Sequence, residues 1–301
     1  MLQTALYSSP DDFFLSKLPL HGEPMQTGSP PCPNPLLVEV LQEQLELLRI
    51  SLFVATQGPA EMAGTQLRCS LEPPIINASQ PIAMCAGQSV NTILRCLDWR
   101  GIPVRDLYPI ARSAVESFIN AAFLVSQDSA ASERALRYVK FRQWKQHNRT
   151  VGEGVFTLKL SSSGSPADSP PTEFKEFTGK GQDMWTTLAL PSRINRVGQA
   201  AGRKAGSRLL AAYTLIYSVS SEVIHGSPFG VSYFYSTGAP TSVEEFRQST
   251  VGQMEDMLVA VAHAAAGYLA TFYTSQGMKT AASIEQELFN KLLALEGVEP
   301  Q

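Results

Sequence analysis

The chain has 301 residues, 24 basic and 27 acidic side chains, a formal charge of −3 and a hydrophobic fraction of 44%. With charged residues at 17%, it is too apolar for a disordered polyelectrolyte and too balanced for a histone-like or polybasic membrane-surface protein. The mean hydropathy of −0.04 belongs to a chain without a dominant membrane-spanning character.

Residues 1–35 are rich in proline, and the run Ser29-Pro30-Pro31-Cys32-Pro33-Asn34-Pro35 excludes a helix there. Two aspartates, Asp11 and Asp12, precede the first basic residue, Lys17, which is not the pattern of a secretory leader. Four cysteines (Cys32, Cys69, Cys85, Cys96) form no CxxC pair. Together with the N-terminus they point to a reducing, cytoplasmic setting. Cys85 and Cys96 are eleven apart in a helical pattern, which predicts two small core residues on one helix face.

Apolar periodicity predicts a first helix over Leu36–Thr56, ended by Gly58-Pro59, and a Pro/Gly/Ser-rich connection over 57–81. Helices follow over about Ile82–Trp99, Val104–Val125 and from Asp128 or Ser129 to about Asn148. Residues 150–183 read as an insertion, with strand-like stretches at Val155–Leu160 and Glu173–Phe177 around a Ser/Pro-rich loop, a loose hairpin at most. Helical pattern resumes over Arg193–Gly202 and Gly206–His225. Pro228–Thr237 reads as irregular, and long helices are predicted from Ser242 to Tyr273 and from Ala281 to Leu295. The expectation is an all-α protein. A Pro-rich extension (1–35) precedes one bundle of about eight helices (36–301).

Three features carry possible chemistry. Arg112 and Glu116 are four apart on an apolar helix that also places Asn120 on the same face. Such a stripe is either a structural ion pair or the lining of an internal polar site. His225 stands at the end of its helix after Ser221 and Glu222. There it is either a cap or, if that helix faces the first, the third member of an Arg112–Glu116–His225 acid–base cluster. His263 in its alanine-rich helix reads as a core residue.

Cations gather in two segments without acidic residues. Residues 134–149 hold six, including Arg137, Lys145 and Arg149, interleaved with Tyr138, Phe141 and Trp144; residues 193–208 hold five, including Arg193 and Arg208. Either these are solvated helix faces balanced by carboxylates from elsewhere, or they bind phosphates. No Walker A sequence, nucleotide-binding GxGxxG, GxSxG elbow or HExxH is present, and no cofactor or metal is expected.

The segments Arg105–Asn120, Arg137–Trp144 and Tyr213–Gly226, the last with Tyr217, Ser221 and His225, resemble the bacterial DUF5677 family of uncharacterised helical proteins. The likeness covers about residues 100–226, interrupted by the 150–183 insertion. It implies a helical core with a tyrosine, serine and histidine helix end, and no assigned activity. The late histidine also resembles that of HEPN helical ribonucleases, which carry an Arg shortly before it; positions 218–220 here are Ser, Val and Ser. The leading expectation is a non-catalytic interaction module with a nucleic-acid or protein partner, outside the membrane, able to form a homodimer. The alternative is a metal-independent ribonuclease using Arg112, Glu116 and His225. Asn120, Arg137, Tyr138, Lys145, Arg149, Tyr217 and Ser221 are the candidate binding residues.

Overall fold

Proline at the first positions of a helix loses no hydrogen bond, and several elements begin that way. The computed structural model describes residues 33–98, 103–160, 171–179, 182–235 and 243–298, all within a unit running from Cys32 to Gln301. The expected N-terminal extension and the Ser/Pro-rich loop at 161–170 lie almost wholly outside the described residues. So do the expected helix end near Trp99 and the cap at Ser242.

The described residues form an all-α fold of nine α-helices, one 3₁₀ turn and two small hairpins. Helix α1 (Pro35–Thr56) starts at Asn34, whose side chain accepts the Leu36 N–H. The hairpin β1 (Ala60–Met62) and β2 (Thr65–Leu67) turns through Ala63 and Gly64, both at positive φ. It occupies a stretch expected to be irregular.

Helix α2 (Pro73–Arg95) begins nine residues earlier than its pattern predicts. Pro73 and Pro74 open it, and the helix continues through Pro81, which removes one internal hydrogen bond without ending it. Cys85 is exposed and Cys96 is half-buried at the helix end, so neither is the core residue expected.

Helices α3 (Pro103–Ser126) and α4 (Ser129–His147) match their expected spans closely. The hairpin then departs from expectation. Strands β3 (Arg149–Glu153) and β4 (Phe156–Leu160) pair with each other across a Gly154-Val155 turn, and Glu173–Phe177 is no strand. Residues Thr172–Phe177 make a 3₁₀ turn. The pull of an aromatic cluster explains it: Phe174 and Phe177 bury against Phe141 of α4, flanked by Tyr138 and Trp144. Two phenylalanines three apart eclipse on a 3₁₀ turn and so face the same side, whereas a strand would split them.

Helices α5 (Leu190–Ala201), α6 (Arg203–Ile224), α7 (Pro228–Tyr235), α8 (Val243–Ser275) and α9 (Lys279–Leu295) complete the chain. The stretch expected to be irregular after Pro228 is thus a short helix, turned back so that Gly230 lies against the Glu222 backbone. Helices α3 and α8 are central. Most residues from Ala114 to Val125 and nearly every one from Ala260 to Tyr273 are buried. Around them pack α1, α2, α6 and α9. Ser249–Ser275 is long and apolar enough by composition to cross a bilayer, but most of it is buried within this bundle.

Helices α5 and α6 meet at Gly198 and Gly206. A Cβ on Gly206 would sit 2.8 Å from the Gly198 Cα, whereas one on Gly198 would meet the Gly206 Cα at an ordinary 3.6 Å. Gly206→Ala is therefore expected to cost about 1–3 kcal/mol through forced separation of two backbones. Gly198→Ala should cost distinctly less, and urea denaturation of the two variants reads the asymmetry.

Candidate functional site

The i, i+4 spacing on α3 produces the expected pair: Arg112 Nε donates to Glu116 Oε1 at 2.7 Å, both side chains being half-buried. The Arg112 guanidinium also lies over the Tyr217 ring of α6, 4.3 Å from its centroid. Tyr213, one turn earlier, stands 4.5 Å from Tyr217, centroid to centroid. One turn further along α3, Asn120 accepts a hydrogen bond from Arg193 of α5. Arg193 Nε donates to the Leu188 carbonyl at 2.9 Å, and its guanidinium covers the Trp185 ring at 4.9 Å. The stripe of Arg112, Glu116 and Asn120 is thus the floor of a cluster walled by α5 and α6.

The charges in this cluster do not balance. Among the described residues Arg193 has no carboxylate within ion-pair distance, and Glu116 is engaged by Arg112. Burial pushes the Arg193 guanidinium below its usual range, and the Glu116 charge partly restores it. Burial also raises the Tyr213 hydroxyl, with Tyr217 and Glu116 adding to the effect and Arg112 opposing it. Two guanidiniums thus stand against one carboxylate, which pairs with Arg112 alone, beside two tyrosine rings.

His225 is not in this group. It caps α6, its backbone N–H bonded to the Ser221 carbonyl at 3.1 Å, and its side chain is exposed. It lies eight residues beyond Tyr217, about 12 Å along the helix axis. Among the described residues, Arg112 and Glu116 bond to each other and neither bonds to the imidazole.

The basic face of α4 is largely neutralised. Glu176 is bound by both Arg134 and Arg137, and Asp183 by Lys145, with Arg142 at 3.8 Å. Glu133 adds a looser contact to Arg137 at 3.9 Å. Tyr138 is half-buried against Phe177 in the aromatic cluster. Arg137, Tyr138 and Lys145 are therefore already occupied by the segment that docks there, while Arg149, on β3, shares a pocket with Tyr138, Arg142 and Lys145.

A second polar site was missed by sequence reasoning. Arg208 of α6 and Glu285 of α9 are each only 3% exposed and pair through Arg208 Nη1, at 2.8 and 2.7 Å from the two carboxylate oxygens. Nη2 bonds to Gln286, and the guanidinium lies 3.9 Å from the Phe289 ring centroid. Burial raises the Glu285 carboxyl, opposed by the neighbouring Arg208 and Lys204. The pair lies beside a pocket of about 570 Å³ lined by Lys204, Arg208, His263 and Phe289 among others. His263 is buried as expected, its Nε2 2.8 Å from Glu296. No local motif marks this pair, because its partners are 77 residues apart. Among the described residues, no cluster of three or more His, Cys, Asp or Glu side chains could hold a metal ion.

Fold and site thus define an all-α bundle with a half-buried, cationic–aromatic cluster on one flank. No family model, curated protein or solved structure matches the chain.

Proposed function

We propose that the protein is a non-catalytic helical binding module whose ligand is single-stranded nucleic acid, held at the cluster between α3, α5 and α6. The observation that carries this reading is the excess of guanidinium over carboxylate beside paired tyrosine rings, with Arg193 facing only neutral hydrogen-bond partners. Guanidiniums recognise phosphate oxygens in fixed geometry, and tyrosine rings offer stacking surfaces to unpaired bases. The α4 cations are a poorer surface for phosphates, because Glu176 and Asp183 already hold four of them. The ribonuclease alternative lacks a proton-transfer partner in the cluster, since His225 bonds to neither Arg112 nor Glu116.

The test is fluorescence anisotropy with a labelled oligouridylate. Affinity should fall with added salt, and Arg112→Gln and Arg193→Gln should each weaken it about tenfold, or about 1.4 kcal/mol. The RNA should remain uncleaved, with His225→Ala indistinguishable from the parent. Binding that ignores Arg112 and Arg193 but follows Arg137 and Lys145 contradicts the site. Cleavage lost in His225→Ala contradicts the non-catalytic reading.

A further inference from the structure

The hairpin β3–β4 carries a sorted surface that nothing in the described chain covers. Its register pairs Arg149 with Leu160, Val151 with Leu158 and Glu153 with Phe156, alternating with Thr150–Lys159 and Gly152–Thr157. Side chains of directly opposed strand residues lie on the same face, and successive residues alternate. One face therefore presents Val151, Phe156, Leu158 and Leu160 between Arg149 at one end and Glu153 at the other. The opposite face presents Thr150, Thr157 and Lys159 around Gly152.

All ten strand residues are exposed. On the apolar face, Val151 is 45%, Phe156 85%, Leu158 59% and Leu160 36% exposed. A lone two-stranded hairpin is at best marginally stable in water, and an apolar face of this kind ordinarily packs against a second layer. Neither Arg149 nor Glu153 has an ion-pair partner among the described residues; the ion pairs nearest in sequence use Lys145 and Asp183.

We infer that this face is a homodimer interface and that its occupant is the same face of a second copy. The charge pattern selects the partner. A two-fold axis running across the strands lays β3 over β3 of the second copy in the opposite direction. Val151 then meets Val151, Leu158 meets Leu158 and Phe156 meets Leu160. Arg149 of each copy reaches Glu153 of the other, so the interface holds two such pairs and each terminal charge is paired once. Such self-complementarity is what an isologous interface requires. Four apolar side chains and two charges are far fewer than the roughly 20–30 residues a side of a standard interface, so the dimer is weak and concentration-dependent. The inference is independent of the nucleic-acid reading, because the hairpin contributes nothing to the α3/α5/α6 cluster.

A charge swap tests it, by sedimentation velocity of the full chain without nucleic acid over about 1–300 μM, which brackets a dissociation constant on the order of 100 μM. The parent should shift from monomer toward dimer as concentration rises. Arg149→Glu and Glu153→Arg should each weaken association at least about tenfold by setting like charges face to face, while R149E/E153R together should return it to within about threefold of the parent. Circular dichroism should show unchanged helix content in all three, because the hairpin lies outside the helical core. A parent that stays monomeric throughout overturns the inference, as does a double variant no better than either single one. Protection of the hairpin amides from hydrogen exchange in a strictly monomeric sample would assign the face to another occupant and equally overturn it.

Discussion

Arg208→Met lowers the unfolding free energy at pH 7 by about 3–5 kcal/mol, the usual cost of stranding one member of a buried ion pair. Glu285 is 3% exposed, and without Arg208 its charge would stay buried with only the exposed Lys204 nearby to oppose it. Burial already holds the Glu285 carboxyl above its ordinary range, and removing the guanidinium moves it further the same way. A raised carboxyl favours the protonated folded state. Stability from this group is therefore fully present below the unfolded carboxylate pKa and is lost as pH rises through the folded value. The deficit of Arg208→Met should accordingly shrink on going from pH 7 toward pH 4. Urea denaturation at several pH values reads both parts. Replacing the pair together, Arg208→Met with Glu285→Leu, should recover most of the loss, since apolar isosteres often equal a buried ion pair.

Phe141→Ala should release the 171–183 segment while leaving the bundle folded. Phe141 stacks on Phe177 at 5.2 Å and meets Phe174 edge-on at 5.8 Å, in a cluster separate from the main core. Truncating a buried phenylalanine costs about 3–5 kcal/mol, and here that cost falls on local docking. Hydrogen exchange should rise sharply over Thr172–Phe177, with α3 and α8 unchanged. Acid should produce a milder form of the same release. The Arg137 hydrogen bond, joined by the charges of Arg137 and Arg134 and opposed by burial, holds the Glu176 carboxyl below its ordinary range. A depressed carboxyl stabilises above its unfolded pKa and loses that contribution as pH falls through the folded value. In a variant that keeps Trp144 while Trp99 and Trp185 are replaced by Phe, fluorescence should therefore change as pH drops below about 4 and recover on neutralisation. A change confined to alkaline pH would contradict this account.

What the sequence disclosed and what it concealed follow from the range of the interactions. Helices α3, α4, α6, α8 and α9 are legible because their apolar spacing is local, and the Arg112–Glu116 pair is legible because four residues are one turn. The start of α2 is obscured by Pro73, Pro74 and Pro81, which read as breakers although two of them occupy the helix opening. The 3₁₀ turn at Thr172–Phe177 is hidden because Phe141, which selects it, lies more than thirty residues upstream. The neutralisation of α4 is foreseeable only as a possibility, since Glu176 and Asp183 belong to a segment that looks like loose insertion. The Arg208–Glu285 pair is invisible for the same reason, as nothing local distinguishes its members from solvated charges. Arg193 appears in the sequence as one cation of a basic run. Only the packing of α5 on α3 sets it beside Asn120 and Trp185.

The central claim is that Arg112 and Arg193 act together on a phosphate-bearing strand. Selective observation of the arginine Nε–H resonances during titration with unlabelled oligouridylate tests it most directly. The account predicts that Arg112 and Arg193 shift along one common saturation curve while Arg134 and Arg137, held by Glu176, remain in place. Shifts confined to Arg134, Arg137 and Arg142, with Arg112 and Arg193 unmoved at saturation, would contradict it.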